Sequence, residues 1–317
     1  MPYSEHAQRG LFEPALEEMA ATGSQTYGPK SFQQYVAAHF GDRRIRTADA
    51  ISVDDRRMLS RELVQANAMV LRLGRTGKRY TDFALVAPTG GIDSFFLPDP
   101  TSELTEQTYL SKTPHRDLYA FEILPRNVEA SLINLAFASG LLSRALNLDT
   151  PGRLPPPAKG SSTYTFSLRP HSTLDLVWRH NAGQVEIDAL IVAERGGADV
   201  LFIFEAKFGR GARPVAKHKL VYPALGLAPR VPPDIPIVPV YLKLAATSRE
   251  IVATIVECAL PDPRQTLVAI DELTFARAVK LRLPIDLSLQ ALAHYSHILL
   301  VRYLGEGLRW MPSRQDA

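Results

Sequence analysis

The sequence predicts a mixed α/β fold in which a central mixed sheet is flanked by helices, in the order helix, three strands, helix, strand. Residues 127–146 have the broad apolar face of a strong helix. Residues 185–192 and 200–207 are apolar runs of strand length on either side of Gly196-Gly197, which predicts a hairpin. Residues 237–244 predict a further strand.

Residues 1–112 are predicted to form a separate N-terminal unit. Residues 31–40 predict one helix, a second begins at Ser52 and includes Asp54, and residues 68–86 predict a hairpin. Helices followed by a basic-tipped hairpin resemble a winged helix-turn-helix, so this unit is expected to read DNA or to act as a scaffold or dimerisation domain. Its candidate DNA-contacting residues are Arg43, Arg44, Arg46, Arg56, Arg57, Arg61, Arg75, Lys78 and Arg79.

The remaining elements of the core follow from local signals. Residues 173–179 are predicted to form its first strand. Pro214 is well placed to open a helix over residues 215–222, and Pro223 to end it. Pro239 favours an edge position for the last strand, because proline lacks the backbone N–H that a central strand donates.

The turn at Gly196-Gly197 fixes the register of the predicted hairpin, since Gly-Gly accommodates the positive φ angles of a two-residue turn. Counting outward places Asp188 opposite Glu205, and Glu186 opposite Lys207. Side chains alternate with a period of two, so all four are expected on one face. Asp188 and Glu205 form a close pair, with Cβ atoms roughly 4.5–5.5 Å apart.

Two carboxylates this close, at the end of an apolar hairpin, repel each other. A divalent cation turns this repulsion into coordination, and Mg²⁺ suits the site because it takes one or two carboxylates plus water and substrate phosphate. Lys207 can orient or deprotonate the attacking water, or stabilise charge on a phosphate. These groups favour metal-assisted phosphodiester hydrolysis. The alternative is a set of strand-end charges that face water, with Lys207 bridging Glu186.

These residues resemble the PD-(D/E)XK nuclease superfamily, which has the restriction-endonuclease-like fold. The first acid of that motif corresponds to Asp188, and its (D/E)XK part to Glu205-Ala206-Lys207, while Ile187 stands where the family often has proline. Many members carry a further acid in the helix before the sheet, for which Glu129 is the best match. The resemblance covers residues 126–244 and implies an αβββαβ core.

The resemblance also implies an activity. Residues 113–317 would form a catalytic domain with a C-terminal extension, acting as a Mg²⁺-dependent endonuclease on double-stranded DNA, for which Mn²⁺ can substitute. The implied class is a type II restriction endonuclease or a related prokaryotic defence nuclease, whose products carry 5′-phosphates. Cutting both strands calls for two active sites, so a C2 homodimer is expected. A cognate methyltransferase is a candidate partner.

Roles for individual residues follow from the same resemblance. Asp188 and Glu205 would bind the metal, and Lys207 would assist the attacking water. Glu129 would serve a second metal or the same water. Glu186 and Lys219 are candidates for supporting roles.

The composition excludes some classes of protein, but it does not distinguish one kind of nuclease from another. The net charge is only +3, so DNA binding is expected to depend on local basic residues such as Arg210, Arg213 and Lys217. The N-terminus has no signal-peptide pattern, no apolar stretch approaches the ~20 residues of a membrane span, and Cys258 is the single cysteine, so a cytoplasmic location is expected. His294 and His297, in a helix predicted over residues 287–304, form a weaker candidate metal pair.

Three other functions stay open at this point. The chain could be another nuclease of the same fold, acting on single strands, junctions or RNA, or in transposition. It could instead be a non-catalytic DNA-binding regulator that uses the N-terminal unit. A structural or toxin-partner protein with a relic nuclease fold is the third alternative.

Overall fold

The computed structural model describes residues 10–41, 43–76, 80–123, 128–211, 213–247 and 249–284. Within these ranges the protein is a mixed α/β structure built on a ten-stranded mixed sheet with helices on both faces. A small second sheet has two strands.

The strands are numbered in chain order. They are β1 (Thr26–Ser31), β2 (Met69–Thr76), β3 (Tyr80–Val86), β4 (Phe96–Leu97), β5 (Glu106–Thr108), β6 (Ala158–Leu168), β7 (Trp178–Arg195), β8 (Ala198–Phe208), β9 (Val215–Ala216), β10 (Ile237–Ala246), β11 (Glu250–Ala259) and β12 (Thr274–Pro284). The order in the large sheet is β1-β3-β2-β7-β8-β10-β11-β12-β5, and β6 pairs with β7 off this path. The small sheet joins β4 to β9.

The helices are numbered in the same way, and short 3₁₀ turns connect several elements. The helices are α1 (Glu13–Thr22), α2 (Phe32–Phe40), α3 (Thr47–Ile51), α4 (Arg61–Gln65), α5 (His115–Glu122), α6 (Glu129–Ala138), α7 (Leu141–Ala145) and α8 (His218–Leu227). None of the helices in the described ranges combines the length and the apolarity that crossing a bilayer requires.

The central hairpin of β7 and β8 has the predicted register. Arg195 pairs with Ala198 across the Gly196-Gly197 turn, and the antiparallel pairing continues to Ala189 opposite Phe204. The two glycines have φ angles of +65° and +77°, and the Asp149 carboxylate accepts hydrogen bonds from both of their N–H groups. The prediction of this hairpin is therefore confirmed.

Helices cover the hairpin on both faces. On one face, α6 packs against the sheet, with the rings of Phe137 and Phe204 5.4 Å apart between centroids. On the other face, α8 packs against β8 through Ala224 and Ile203. Because side chains alternate along a strand, Glu205 points to the α8 face, opposite to Phe204.

Several predicted elements have other boundaries. The strand that precedes the central hairpin is β6, whereas residues 173–177 form the loop before β7, so the strand predicted over 173–179 is wrong. Strand β6 ends in a period-two alternation, Tyr164-Thr165-Phe166-Ser167-Leu168, that pairs with β7. The predicted helix over 127–146 is two helices, α6 and α7, because Gly140 has a φ of +77° between them.

The helix predicted after Pro214 is also shifted. Val215 and Ala216 form β9, which pairs with β4, so helix α8 begins only at His218. Pro223 lies inside α8 and does not end it. Pairing with a distant strand here overrides the local helix signal.

Strand β10 is internal to the sheet, between β8 and β11. The edge position that Pro239 suggested is therefore wrong. Pairing of β10 with β11 begins at Val240, one residue after the proline, so the missing N–H removes no rung of that ladder.

The first 112 residues contain the predicted helix α2 and the β2–β3 hairpin. The helix predicted from Ser52 is wrong: residues 56–58 form a 3₁₀ turn, and α4 begins at Arg61. The reason is tertiary, because Asp55 pairs with Val215 of β9 and the Asp54 carbonyl accepts the Ala216 N–H at 2.9 Å.

The N-terminal strands join the large sheet at a single register pair, Gly74 of β2 with Asn181 of β7. Buried side chains from both sides of this joint, such as Phe83 and Tyr241, belong to one hydrophobic core cluster. The division into a domain of residues 1–112 and a domain of residues 113–317 stays a prediction.

The joint between β2 and β7 yields a stability prediction. Gly74 has a φ of +89°, and a Cβ placed there would lie 2.8 Å from the backbone N of Asn181. We expect Gly74→Ala to destabilise the protein by more than about 2 kcal/mol, because both the backbone angle and the contact are unfavourable to any side chain. Urea denaturation measures the loss.

The matched control is Gly160→Ala on β6, where an added Cβ would meet no atom within 4 Å. This control should change stability by less than about 0.5 kcal/mol. Equal effects of the two substitutions would contradict the close approach of β2 to β7.

Candidate functional site

Counted away from the Gly196-Gly197 turn, the last pair of β7 and β8 is Ala189 with Phe204. The two strands separate at the next residue of β7, Asp188. Strand β7 carries a bulge here, because Ala158 of β6 pairs with Leu190 while Gly160 pairs with Ile187. The side chain of Asp188 fills the gap between the strands, and its Oδ2 accepts the Ala206 N–H at 2.8 Å. One oxygen of this carboxylate thus fixes the end of the hairpin.

Glu205 lies next to Asp188 and is buried, with 6% of its surface exposed. Burial raises the pKa of its carboxyl to about 7, and the negative charge of Asp188 adds to this effect, whereas Lys207 opposes it. A glutamate that holds its proton near neutral pH is unusual, and perturbed pKa values of this kind cluster at functional sites.

Lys207 connects Glu205 to the N-terminal part of the chain. Its Nζ lies 2.7 Å from Oε1 of Glu205 and 3.2 Å from Oδ2 of Asp54. Burial alone would lower the pKa of the Lys207 ammonium, but the two carboxylates outweigh it and the pKa is raised. Lys207 is therefore positively charged at neutral pH.

Asp54 holds a second lysine as well. Its Oδ1 lies 2.6 Å from Nζ of Lys219 in the first turn of α8. Burial on its own would raise the pKa of Asp54, but Lys219 and Lys207 together hold it below its usual value. We call Asp54, Asp188, Glu205, Lys207 and Lys219 the carboxylate–lysine cluster.

The structure thus brings together four of the predicted site residues, Asp188, Glu205, Lys207 and Lys219. Local sequence patterns assign Asp54 no role in the site. Its place depends on the pairing of residues 54 and 55 with β9, a contact between segments far apart in the chain, for which the local sequence contains no signal.

Two predicted acids make no described hydrogen bond or ion pair with the cluster. Glu129 is exposed in the first turn of α6, a helix that packs on the face opposite to Glu205, and none of its described contacts reaches the cluster. Glu186 is exposed and accepts a hydrogen bond from Gln184 at 3.4 Å. The bulge in β7 interrupts the alternation that placed Glu186 beside Lys207, so their predicted pairing is not formed.

The predicted basic residues after the hairpin have different surroundings. Arg210 is exposed. Arg213 is half-buried, and its backbone N–H donates to Asp99 at 2.7 Å. Lys217 is buried and donates to the Asp271 carbonyl at 2.9 Å, so it is not available to a ligand at the surface.

In the N-terminal unit, Arg56 and Arg57 form ion pairs with Asp93 and Asp55, respectively. Arg61 is exposed, as are Arg44, Arg46 and Arg75, whereas Arg43 is half-buried. Lys78, Arg79, His294 and His297 lie outside the described residues.

Asp188 and Glu205 are the residues of the cluster that could hold a metal ion. Within the described ranges, no group of three or more His, Cys, Asp or Glu side chains lies close enough together to hold a metal ion. The donor set nevertheless fits Mg²⁺, which binds proteins through one or two carboxylates and completes its shell with water and phosphate oxygens. A cation between the two carboxylates would also offset the burial of Glu205 and its repulsion from Asp188.

Comparison with known protein families identifies one family that matches this chain. Residues 101–272, more than half of the chain, match the family described as "Domain of unknown function (DUF6997)". The chain belongs to the DUF6997 family. The matched DUF6997 region includes the central hairpin and α8, whereas Asp54 lies before it. No curated protein and no solved structure matches the chain.

The raised pKa of Glu205 predicts a pH-dependent stability. Because the folded protein binds this proton more tightly than the unfolded chain does, the stabilisation is present below about pH 4.5 and is lost as the pH rises through about 7. We expect the unfolding free energy of Glu205→Gln, relative to the wild type, to increase by an amount on the order of 2 kcal/mol between about pH 5 and about pH 8. Urea denaturation at both pH values measures it.

The control for this experiment is Glu194→Gln, which alters an exposed carboxylate on β7, the other strand of the central hairpin. Its stability relative to the wild type should not change over this pH range. A Glu205→Gln difference that stayed constant with pH would show that Glu205 titrates as an ordinary surface acid.

Proposed function

We propose that this DUF6997 protein is a Mg²⁺-dependent endonuclease that hydrolyses phosphodiester bonds of double-stranded DNA, as a sequence-specific restriction or related defence enzyme of prokaryotes. The observation that carries the proposal is the meeting of Asp188, Glu205 and Lys207 where β7 and β8 separate. Two acids and a lysine at one strand end are the groups that metal-assisted phosphodiester hydrolysis requires.

The order of elements around the cluster supports the same assignment. Apart from the short helix α7 and the two-residue strand β9, helix α6 is followed by the antiparallel strands β6, β7 and β8, then by α8 and by β10, which runs parallel to β8. This is the αβββαβ order of the PD-(D/E)XK superfamily, which the sequence resembles at Asp188 and Glu205-Ala206-Lys207. The proposed restriction-endonuclease-like core consists of these six elements.

Asp188 and Glu205 are the residues that would hold Mg²⁺. When bound, the ion supplies Lewis-acid polarisation of the scissile phosphate and charge compensation in the transition state. The chain's own contribution is a buried Glu205 beside an Asp188 carboxylate that the Ala206 N–H holds in place.

Lys207 acts in this proposal as a cation and not as a base. Its raised pKa keeps the proton on Nζ at neutral pH, so the ammonium group can donate hydrogen bonds to the attacking water and stabilise the charge that develops on the phosphate. Asp54 is a positioning residue, because its carboxylate contacts the ammonium groups of both Lys207 and Lys219.

The proposed substrate and assembly follow from the activity. Exposed cations, such as Arg210 beyond the end of β8 and Arg61 at the start of α4, are available for contacts to phosphates. Cutting of both strands calls for two copies of the site, so we propose a C2 homodimer. A cytoplasmic location and a cognate methyltransferase belong to the same proposal.

A cleavage assay tests the proposed function. Purified protein is incubated with unmethylated plasmid and phage DNA in Mg²⁺ or in EDTA. We expect discrete fragments with 5′-phosphate ends in Mg²⁺ only, and a rate that is lower by at least about 100-fold in Lys207→Ala, because the ammonium group stabilises charge in the transition state. End-labelling before and after phosphatase treatment identifies the 5′ ends.

Lys159→Ala, which removes an exposed lysine of β6, is the matched control and should cut like the wild type. Cutting that persists in EDTA would contradict the proposed metal dependence. Sequence-specific DNA binding without cutting, unchanged in Asp188→Ala, would support a DNA-binding regulator instead.

A further inference from the structure

A cavity of about 930 Å³ lies beside the carboxylate–lysine cluster, which it meets at Asp54 and Lys219. Its walls come from two parts of the chain. Residues 48–62 form one side, and β7 and the first turns of α8 form the other, with Arg72 of β2 between them. A volume of this size is typical of sites that bind small organic ligands or parts of larger ones.

Several residues that line the cavity carry a buried polar atom without a hydrogen-bond partner. Among the described residues, five such side-chain atoms belong to the lining of this one cavity. They are Ser60 Oγ, Glu62 Oε1, Arg72 Nε, His218 Nδ1 and Tyr222 Oη. Buried polar atoms in folded proteins almost always have partners, so this concentration indicates a ligand that supplies them.

Aromatic rings form a continuous wall of the same cavity. Tyr222 and His218 are each only 6% exposed, with ring centroids 5.3 Å apart, and the ring of His180 lies 5.1 Å from that of Tyr222. Burial lowers the pKa of His218 to about 3 and that of His180 to about 4, so both imidazoles are neutral at neutral pH. The wall is therefore aromatic and uncharged, with neighbouring ring planes tilted by 54° and 55°, and it suits apolar and edge contacts with another ring.

The polar atoms further restrict the chemical class of the ligand. Arg72 Nε is a donor, Glu62 Oε1 is an acceptor when ionised, and the Ser60 and Tyr222 hydroxyls can be either. An apolar ligand would leave all of these atoms unsatisfied. A simple anion could pair with the cations of the lining, Arg57, Arg61, Arg72 and Lys219, but it would supply no donor to Glu62. A planar heterocycle with both donors and acceptors on its edge satisfies the whole set, and nucleobases are such rings.

We propose that this cavity binds one unpaired nucleobase of the DNA substrate, rotated out of the helix next to the carboxylate–lysine cluster. This inference rests on the proposed function, since the cluster would act on the backbone of the same DNA. A base inside a duplex cannot reach a buried pocket, whereas an extruded base can, and one without a pairing partner costs least to extrude. Its exocyclic amino group would donate to Glu62, and the Tyr222 hydroxyl would form a hydrogen bond with the edge of its ring.

The test compares the binding of two duplexes in EDTA, where no cutting is expected. One is fully paired, and the other has the same sequence with one base opposite an abasic site. Fluorescence anisotropy should give an affinity at least about tenfold higher for the unpaired base. Tyr222→Phe should remove much of this advantage while leaving the affinity for the paired duplex unchanged.

A matched tyrosine separates a binding role from a structural one. The Tyr109 hydroxyl donates to the Ser139 carbonyl at 3.0 Å, whereas the Tyr222 hydroxyl has no partner among the described residues. Tyr109→Phe should therefore lower the melting temperature and keep the unpaired-base advantage. Tyr222→Phe should not lower the melting temperature, since it removes an unsatisfied buried group.

Equal affinities of the wild type for the two duplexes, or an advantage that Tyr222→Phe leaves intact, would overturn the proposal. Calorimetry with free deoxynucleoside monophosphates distinguishes the source of the base: strong binding of a free nucleotide, without an advantage for the unpaired base in DNA, would also overturn it. If the protein cleaves DNA in Mg²⁺ but binds both duplexes equally, only this inference is refuted. If it prefers the unpaired base but does not cleave DNA, the proposed nuclease activity is refuted.

Discussion

The site depends on the contact between the buried carboxylate of Glu205 and the ammonium group of Lys207, 2.7 Å apart at the point where β7 and β8 separate. A glutamate this deeply buried is costly when ionised, which is why its pKa is raised to about 7 in spite of the lysine. Folding therefore leaves an acid that gains from any additional positive charge nearby. In the proposed function this charge is the catalytic metal.

The lysines of the cluster are held by a different part of the protein. Asp54 contacts both Lys207 and Lys219, and Asp54 itself is positioned because residues 54 and 55 pair with β9. The N-terminal segment is thus part of the cluster, and it also forms one side of the adjoining cavity. A change in the packing of this segment would alter the charge balance of the site and the shape of the cavity together.

The central hairpin and the main site residues could be predicted from sequence because their signals are local. A Gly-Gly turn between two apolar runs sets the register, and counting from it brings Asp188 to Glu205. Asp54, His218 and Tyr222 could not be assigned in this way, since contacts between distant segments place them. The bulge at residues 187–190, which separates Glu186 from Lys207, likewise depends on pairing with β6.

Calorimetric titration with Mg²⁺ near pH 7, in buffers of different ionisation enthalpy, tests the central claim most directly. If Asp188 and Glu205 hold the ion, binding should release about half a proton, because Glu205 is about half protonated near pH 7 and must be ionised to coordinate the ion. Glu205→Gln should abolish both the binding and the proton release. Binding of Mg²⁺ that persists in this variant with the same proton release, or no binding by the wild type, would contradict the account.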